Sequence, residues 1–281
     1  MKFILDCISD THTKHDYLDF QAPVMDPEDV WILVHAGDFT HQGTAEQVTK
    51  FAAWLKTQPH HHKVVICGNH ELLCDDVWLS QYKEKMQAAL EDCNLRGDVI
   101  GAANAEAALT IPSTNVREIL KDPFVHYLQE EGTEISGLRF WGSPYSRRFF
   151  DWAFQVEHDQ GAEYWEKLPE ADVVIVHGPP KWHGDQCPDL DDRYKKVFVG
   201  CPDFLNRLRV TQPALVVSGH IHPGFGVTYD DGTSVQAASG ICMVNAASLT
   251  DTYKPHGLFI RVTLDENKCI TSVVYKNCAY V

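Results

Sequence analysis

Asp10-Thr11-His12, Gly37-Asp38, Gly68-Asn69-His70-Glu71, His177-Gly178 and Gly219-His220-Ile221-His222 are five short segments rich in carboxylate, amide and imidazole groups. Each directly follows an apolar, mostly β-branched run, which sets these donors at strand ends, where open α/β sheets bind their ligands. In an extended segment residues i and i+2 face the same side. Asp10 with His12, and His220 with His222, are therefore expected to grip an ion in pairs. The glycines beside them allow tight turns and close backbone approach. If two divalent ions sit there with a bridging hydroxide, the two aspartates leave the centre at roughly +1. That charge suits a phosphate anion, and the chemistry it points to is metal-assisted hydrolysis of a phosphate ester.

The elements that must position these groups are legible as apolar runs. Residues 2–8, 30–34, 63–67, 172–176 and 214–218 read as strands covered on both faces, as in a parallel sheet. Thr44-Ala45-Glu46-Gln47 has the form of a capping box, and Val48, Phe51, Ala52 and Leu55 follow at helical spacing. A second helix is expected over residues 77–91, and Pro202 suits the start of a third. Alternating strand and helix argues for right-handed βαβ units. Residues 94–155 are less regular, with a short strand at 138–142. Asp230-Asp231-Gly232 reads as a hairpin turn, and residues 257–264 and 270–275 as closing strands. The expected architecture is α/β: two packed sheets with helices outside, over one domain spanning residues 1–281.

Composition narrows the partners. Of 281 residues, 24 are Lys or Arg and 39 Asp or Glu, a net charge of -15. That balance opposes loose binding to nucleic acid polymers or anionic lipid and leaves room for a small anion at a local positive site. No apolar run approaches the ~18 residues of a membrane span. The nine cysteines form no CxxC pair, and the N-terminus is charged too early for a secretory segment; both are read as a reduced, cytoplasmic protein.

The five segments, in order, resemble the motif set of the calcineurin-like metallophosphoesterase superfamily: D-x-H, G-D, G-N-H-[DE], H and G-H-x-H. The resemblance implies a four-layer αββα sandwich of two mixed β-sheets flanked by helices. It implies that Asp10, His12, Asp38 and His222 hold one ion. Asp38, Asn69, His177 and His220 would hold a second, with Asp38 bridging. His70 would bind no metal and would protonate the leaving oxygen after attack by a metal-activated hydroxide. Ile8-Ser9-Asp10-Thr11-His12, His177-Gly178-Pro179-Pro180 and Val244-Asn245-Ala246-Ala247 are similar to a narrower branch, the metallophosphoesterase-domain-containing phosphodiesterases (class III type). Some animal members of that branch carry Gly at the position of His220, whereas this chain keeps the imidazole. Protein Ser/Thr phosphatases continue G-D with an Asp-Arg pair before a Gly, and here His41-Gln42-Gly43 stands instead. That departure argues against protein phosphatase activity and leaves His70 without an acidic partner.

The expected activity is cleavage of a small phosphodiester, with a cyclic nucleotide as one substrate. The alternatives are a small-molecule phosphomonoesterase and a non-enzymatic scaffold that keeps the metal site. The donor set suits two divalent ions drawn from Mn, Fe, Zn or Co over Ca. Asn69, His70, Arg147 and Trp182 are the candidate substrate contacts. Arg147, Arg148, Phe149, Phe150 and Trp152 could stack a base, against the competing reading that these aromatics pack the core. His60-His61-His62 reads as a solvated loop, and His158 and His183 as surface or cap residues. Glu71 and Asn245 are expected to anchor turns.

Overall fold

The computed structural model describes residues 1–192, 194–230 and 240–278. The first of two six-stranded sheets runs, edge to edge, through Ile270–Asn277, Leu258–Leu264, Phe3–Ile8, Val30–Ala36, His62–Ile66 and Val125–Tyr127. The last four are mutually parallel, and the two C-terminal strands are antiparallel. The second sheet runs through Gly226–Tyr229, Cys242–Asn245, Leu215–Ser218, Val173–Val176, Leu138–Ser143 and Glu131–Ile135. Its central four strands are parallel and its two edges antiparallel.

The apolar runs have no polar face because each sheet is covered twice. Leu5, Cys7, Val34 and Ile66 of the first sheet meet Phe140, Ile175, Val217 and Val244 of the second. The alternate residues Ile4, Ile8, Leu33 and Val65 pack under Phe51 and Leu55 of the Ala45–Thr57 helix. On the far side Val174, Val216 and Met243 pack against Phe204, Leu205 and Leu208 of the Pro202–Thr211 helix. These are the four layers expected from the sequence: two mixed sheets flanked by helices. Truncating a fully buried ring such as Phe51 costs about 3–5 kcal/mol.

Helix boundaries follow their caps. Thr44 accepts from the Gln47 N–H (3.2 Å), as a capping box requires, but the Gln47 side chain turns to the Gln42 N–H (3.1 Å). The second helix is longer than read, Asp76–Arg96, started by Asp75, which accepts from Val77 and Trp78. It ends at Gly97, whose φ of 72° is left-handed, and the chain turns back into an unforeseen helix, Val99–Leu109. The Val99–Leu109 sequence is nearly all small and apolar, so no polar face marks it as amphipathic. In the hairpin signal at residues 230–232, Asp231 and Gly232 lie outside the described residues.

Candidate metal centre

Five loops at the carboxyl ends of strands meet over one edge of the sandwich. Residues 9–13 and 37–39 are laced by main-chain bonds: Asp10 N–H to Gly37 O (2.9 Å), His12 N–H to Asp38 O (3.0 Å) and Thr13 N–H to Phe39 O (3.0 Å). Ser9 bridges to Ala247, and Gly219 N–H donates to His177 O (3.0 Å), which ties in the second sheet. The glycine before Asn69 is required by space. A Cβ on Gly68 would collide with Asp38 Oδ1 and come within 2.6 Å of His177 Cε1.

The pairing of donors does not come from extended chain, as the alternation rule suggests. Asp10 (φ 53°), His12 (φ 40°), Asp38 (φ 56°) and His220 (φ 67°) are all left-handed, and His222 opens a 3₁₀ turn. Left-handed turns bring Asp10 and His12 to one point where an extended segment would run past it. Four non-glycine residues in this sparsely populated region, at about 1–3 kcal/mol each, cluster where side chains converge.

Carboxylate oxygens and ring nitrogens gather in three groups, each within 4.8 Å: Asp10, His12 and His222; His12, Asp38 and His70; and Asp38, His177 and His220. Asp38 belongs to two of them, and Asn69 Oδ1 lies 3.0 Å from His177 Nε2. Main-chain carbonyls fix the rings. Nδ1–H donates to Thr40 O from His12 (3.2 Å), to Ala36 O from His177 (2.8 Å) and to Thr250 O from His222 (2.8 Å). That sets Nδ1 as the donor in each ring and aims each Nε2 inward, the nitrogen a metal-binding imidazole offers once it has shed any proton. His12 Nε2 is buried with no hydrogen-bond partner.

The electrostatics ask for positive charge. Burial alone pushes the Asp10 and Asp38 carboxyls up, but His222 beside Asp10 and His177 beside Asp38 hold both below the usual carboxylate range. Burial depresses the four imidazoles, and at His12 and His220 it wins, leaving them at about 4. At His177 and His222 the facing carboxylates win and raise them to about 9. Two ionised carboxylates, inward ring nitrogens and an orphaned buried nitrogen fit divalent ions of the N/O-binding type, which would displace the protons of His177 and His222 on binding.

Two residues read only as turn anchors brace this centre. Glu71 accepts from Asp38 N–H (3.0 Å), Thr40 N–H (2.8 Å), Thr40 Oγ1 (2.8 Å) and Gly68 N–H (2.6 Å), locking two loops together. Asn245 donates to Gly184 O (2.7 Å) and Ile221 O (2.9 Å). His70 is half-buried beside the cluster, its N–H on Asp38 Oδ1 (2.8 Å). Its missing acidic partner is replaced by a main-chain group: Nδ1 faces His41 O at 3.2 Å.

A family model for calcineurin-like phosphoesterases matches residues 5–224, the stretch that carries every one of these donors. The chain belongs to the calcineurin-like phosphoesterase family. The family typically binds divalent metals. Metallophosphoesterase domain-containing protein 1 of Homo sapiens is 35% identical over 242 residues, covering 85% of this chain and 66% of that protein. A UPF0046 protein of Caenorhabditis elegans is 30% identical over 242 residues, covering 85% of this chain and 55% of that one. The chain thus spans about two thirds or less of these relatives' length. The crystal structure of TT1561 of Thermus thermophilus shares the fold, with a TM-score of 0.52 at 13% identity over 98% of both chains.

Beside the candidate metal centre lies a cavity of about 480 Å³, lined in part by Arg147, Phe149, Gly178, Phe198 and His220. Trp182 is not among its lining residues; it is 58% exposed and packs on Phe198 (4.7 Å). Phe149 and Phe150 are 43% and 67% exposed, so these two do not pack the core. His60 corrects the solvated-loop reading: it is buried, with Nε2 on Asp6 Oδ2 (3.0 Å). His183 is likewise buried against Thr228 Oγ1 (2.9 Å), while His158 is exposed. Tyr253, against His12 (5.0 Å) and His222 (5.2 Å), carried no sequence signal. Among the described residues no helix is long and apolar enough to cross a membrane.

Proposed function

We propose that this chain hydrolyses a small phosphodiester at a two-ion centre. Asp10, His12, Asp38 and His222 would hold one ion, and Asp38, Asn69, His177 and His220 the other. The observation that carries this reading is the position of Asp38 between the two sets, within ligand reach of His12 on one side and of His177 and His220 on the other, as a shared carboxylate needs. Bound ions of the Mn, Fe, Zn or Co type supply an activated water and neutralise phosphate oxygens. The rest falls to the chain. His41 O holds the His70 ring so that Nε2 can give its proton to the departing alkoxide, and Asn69 and His70 border the phosphate position. Arg147 and the rings of Phe149 and Phe198 offer one arm of the ester a charged and aromatic wall. A cavity of about 480 Å³ has room for a nucleoside, which favours a cyclic nucleotide as substrate. Both sheets contribute donors, so residues 1–281 are read as one working domain. All nine cysteines are free, which suits the cytoplasm.

The test is direct. Protein loaded with Mn is given bis-p-nitrophenyl phosphate, p-nitrophenyl phosphate and a purine cyclic nucleotide. Faster diester cleavage supports the proposal, monoester preference replaces it with a phosphomonoesterase, and bound metal without turnover on any of them leaves a scaffold. His70→Ala should keep both ions and lose about 10²–10⁴-fold in kcat on esters with poor leaving groups. An unchanged rate there removes His70 from the proposal.

A further inference from the structure

The ring of His70 is held from more than one side. Besides His41 O on Nδ1, His12 meets it edge-on at 4.6 Å, and the indole of Trp152 covers one face at 4.3 Å with a 31° tilt. Trp152 is not among the residues lining the cavity. It is thus not placed to stack a base there, and its ring partner is an imidazole of the site.

The segment that carries Trp152 is strained and pinned. Phe150 (φ 53°) and Phe154 (φ 48°) are left-handed on either side of it, unusual for bulky residues. Phe154 buries its ring by this turn, whereas Phe150 is 67% exposed and gains no burial of its own. The strap is fixed on both sides of the indole. Trp78 Nε1–H donates to Asp151 O (3.1 Å), and Lys85 pairs with Asp151 Oδ2 (2.5 Å). Ala153 N–H donates to Asn69 O (3.3 Å), and Phe154 N–H to Asp75 Oδ2 (2.8 Å). Asp75 is also the cap of the Asp76–Arg96 helix, and Asn69 directly precedes His70. Strained backbone persists only where the surroundings over-determine it. Here the surroundings deliver one side chain, the indole, onto one ring.

We propose that Trp152 is a positioning residue for His70: it fixes the plane of the imidazole so that the proton reaches the leaving oxygen, and it does not touch substrate. This rests on the reading of His70 as general acid. A ring free to rotate loses the alignment on which proton transfer depends.

The experiment is a double-mutant cycle on metal-loaded enzyme with two diesters, one with a p-nitrophenyl and one with an alkyl leaving group. Trp152→Leu should lower kcat on the alkyl ester about tenfold at unchanged KM, spare the p-nitrophenyl ester, and cost nothing further in a His70→Ala background. Trp152→Phe, which keeps a flat ring, should recover most of the rate. In the metal-free protein the His70 ring protons, shifted upfield by the indole, should return downfield in Trp152→Leu. Equal losses on both esters, an added loss in the His70→Ala background, or a rise in KM alone would overturn the proposal. If His70→Ala is severe and Trp152→Leu silent, only this inference fails; if His70→Ala is itself silent, the general-acid reading fails and takes this one with it.

Discussion

Two buried clusters of carboxylate and imidazole lie in and beside the first sheet, and only one is closed. Around Asp6, Arg261 donates Nε–H to Oδ1 (2.6 Å) and Nη2–H to Oδ2 (2.8 Å), while Trp31 Nε1–H (2.9 Å) and His60 Nε2–H (3.0 Å) complete Oδ2. Around Asp10 and Asp38 the facing ring nitrogens stand at 3.4 Å (His222), 3.3 Å (His177) and 3.9 Å (His12), beyond good hydrogen-bond length. In the first cluster every carboxylate oxygen meets a donor at short range; in the second the contacts from the raised His177 and His222 are long and His12 Nε2 has no partner. A buried charge is tolerated when paired and hydrogen-bonded, so the first cluster is complete in itself, and the second is the one proposed to take a cation from outside.

Removing the shared carboxylate should break the comparison most sharply. Asp38→Ala takes a donor from both sides of the open cluster and should reduce bound metal, counted by elemental analysis, from two ions to nearly none. Turnover should fall more than about 10³-fold, some 4 kcal/mol. Full loading of that variant would contradict the sharing of Asp38. The matching change in the closed cluster should act on stability alone. Arg261→Met leaves Asp6 buried without its guanidinium counter-charge and should cost about 3–5 kcal/mol in urea unfolding while metal content stays at the native level. A loss of metal without loss of stability would mean the two clusters are not separable.

The same contrast shows what the sequence could reveal. The donor positions were legible because each follows a strand whose β-branched residues mark it, and chain order alone brings strand ends together. The geometry that makes them a site was not. The partners of His12, His177, His222 and His70 are carbonyls of Thr40, Ala36, Thr250 and His41, and a carbonyl is present at every residue whatever its type. The left-handed turns at Asp10 and His12 fall on residues that seldom adopt them. His60 reads as solvated because it sits in a histidine run. Its burial depends on Asp6 and on Arg261, which lie 255 residues apart from each other.

The two arginines sharpen the comparison further. Arg261 is used up by Asp6, whereas among the described residues the Arg147 side chain has no ion pair or hydrogen bond and lines the cavity beside the open cluster. A half-buried cation without a carboxylate, in a chain of net charge -15, is placed for an anionic ligand. Arg147→Ala should raise KM about tenfold, near 1.4 kcal/mol, with a smaller change in kcat. Arg148 lines the same cavity but is already paired with Glu157 (2.8 Å); it is the control, and Arg148→Ala should leave KM within about twofold. Equal effects of the two would show that general charge, and not the free guanidinium, attracts the substrate.

The smallest expected effect is a pH dependence carried by the closed cluster. Burial pushes His60 below its ordinary value against the pull of Asp6, and its buried Nδ1 has no partner to help it accept a proton. Burial pushes Asp6 up, but the bonds from Arg261 and His60 outweigh that and hold it low. Both groups therefore bind protons more readily in the unfolded chain, so both contribute stability that is present at higher pH and lost as pH falls. For His60 the loss begins near the unfolded value of about 6.5, and for Asp6 only near about 4. Other buried histidines, His15 and His35 among them, are depressed in the same direction, so the wild-type slope alone does not single out His60. His60→Gln keeps a donor toward Asp6 and removes the titrating ring. Urea unfolding of wild type and variant between about pH 7.5 and 5, both stripped of metal by chelation, should show the wild type losing up to about 1 kcal/mol more than the variant as pH falls through about 6.5. Parallel curves would mean that His60 accepts its proton in the folded state as easily as in water, and that the closed cluster is less tightly sealed than its bond lengths state.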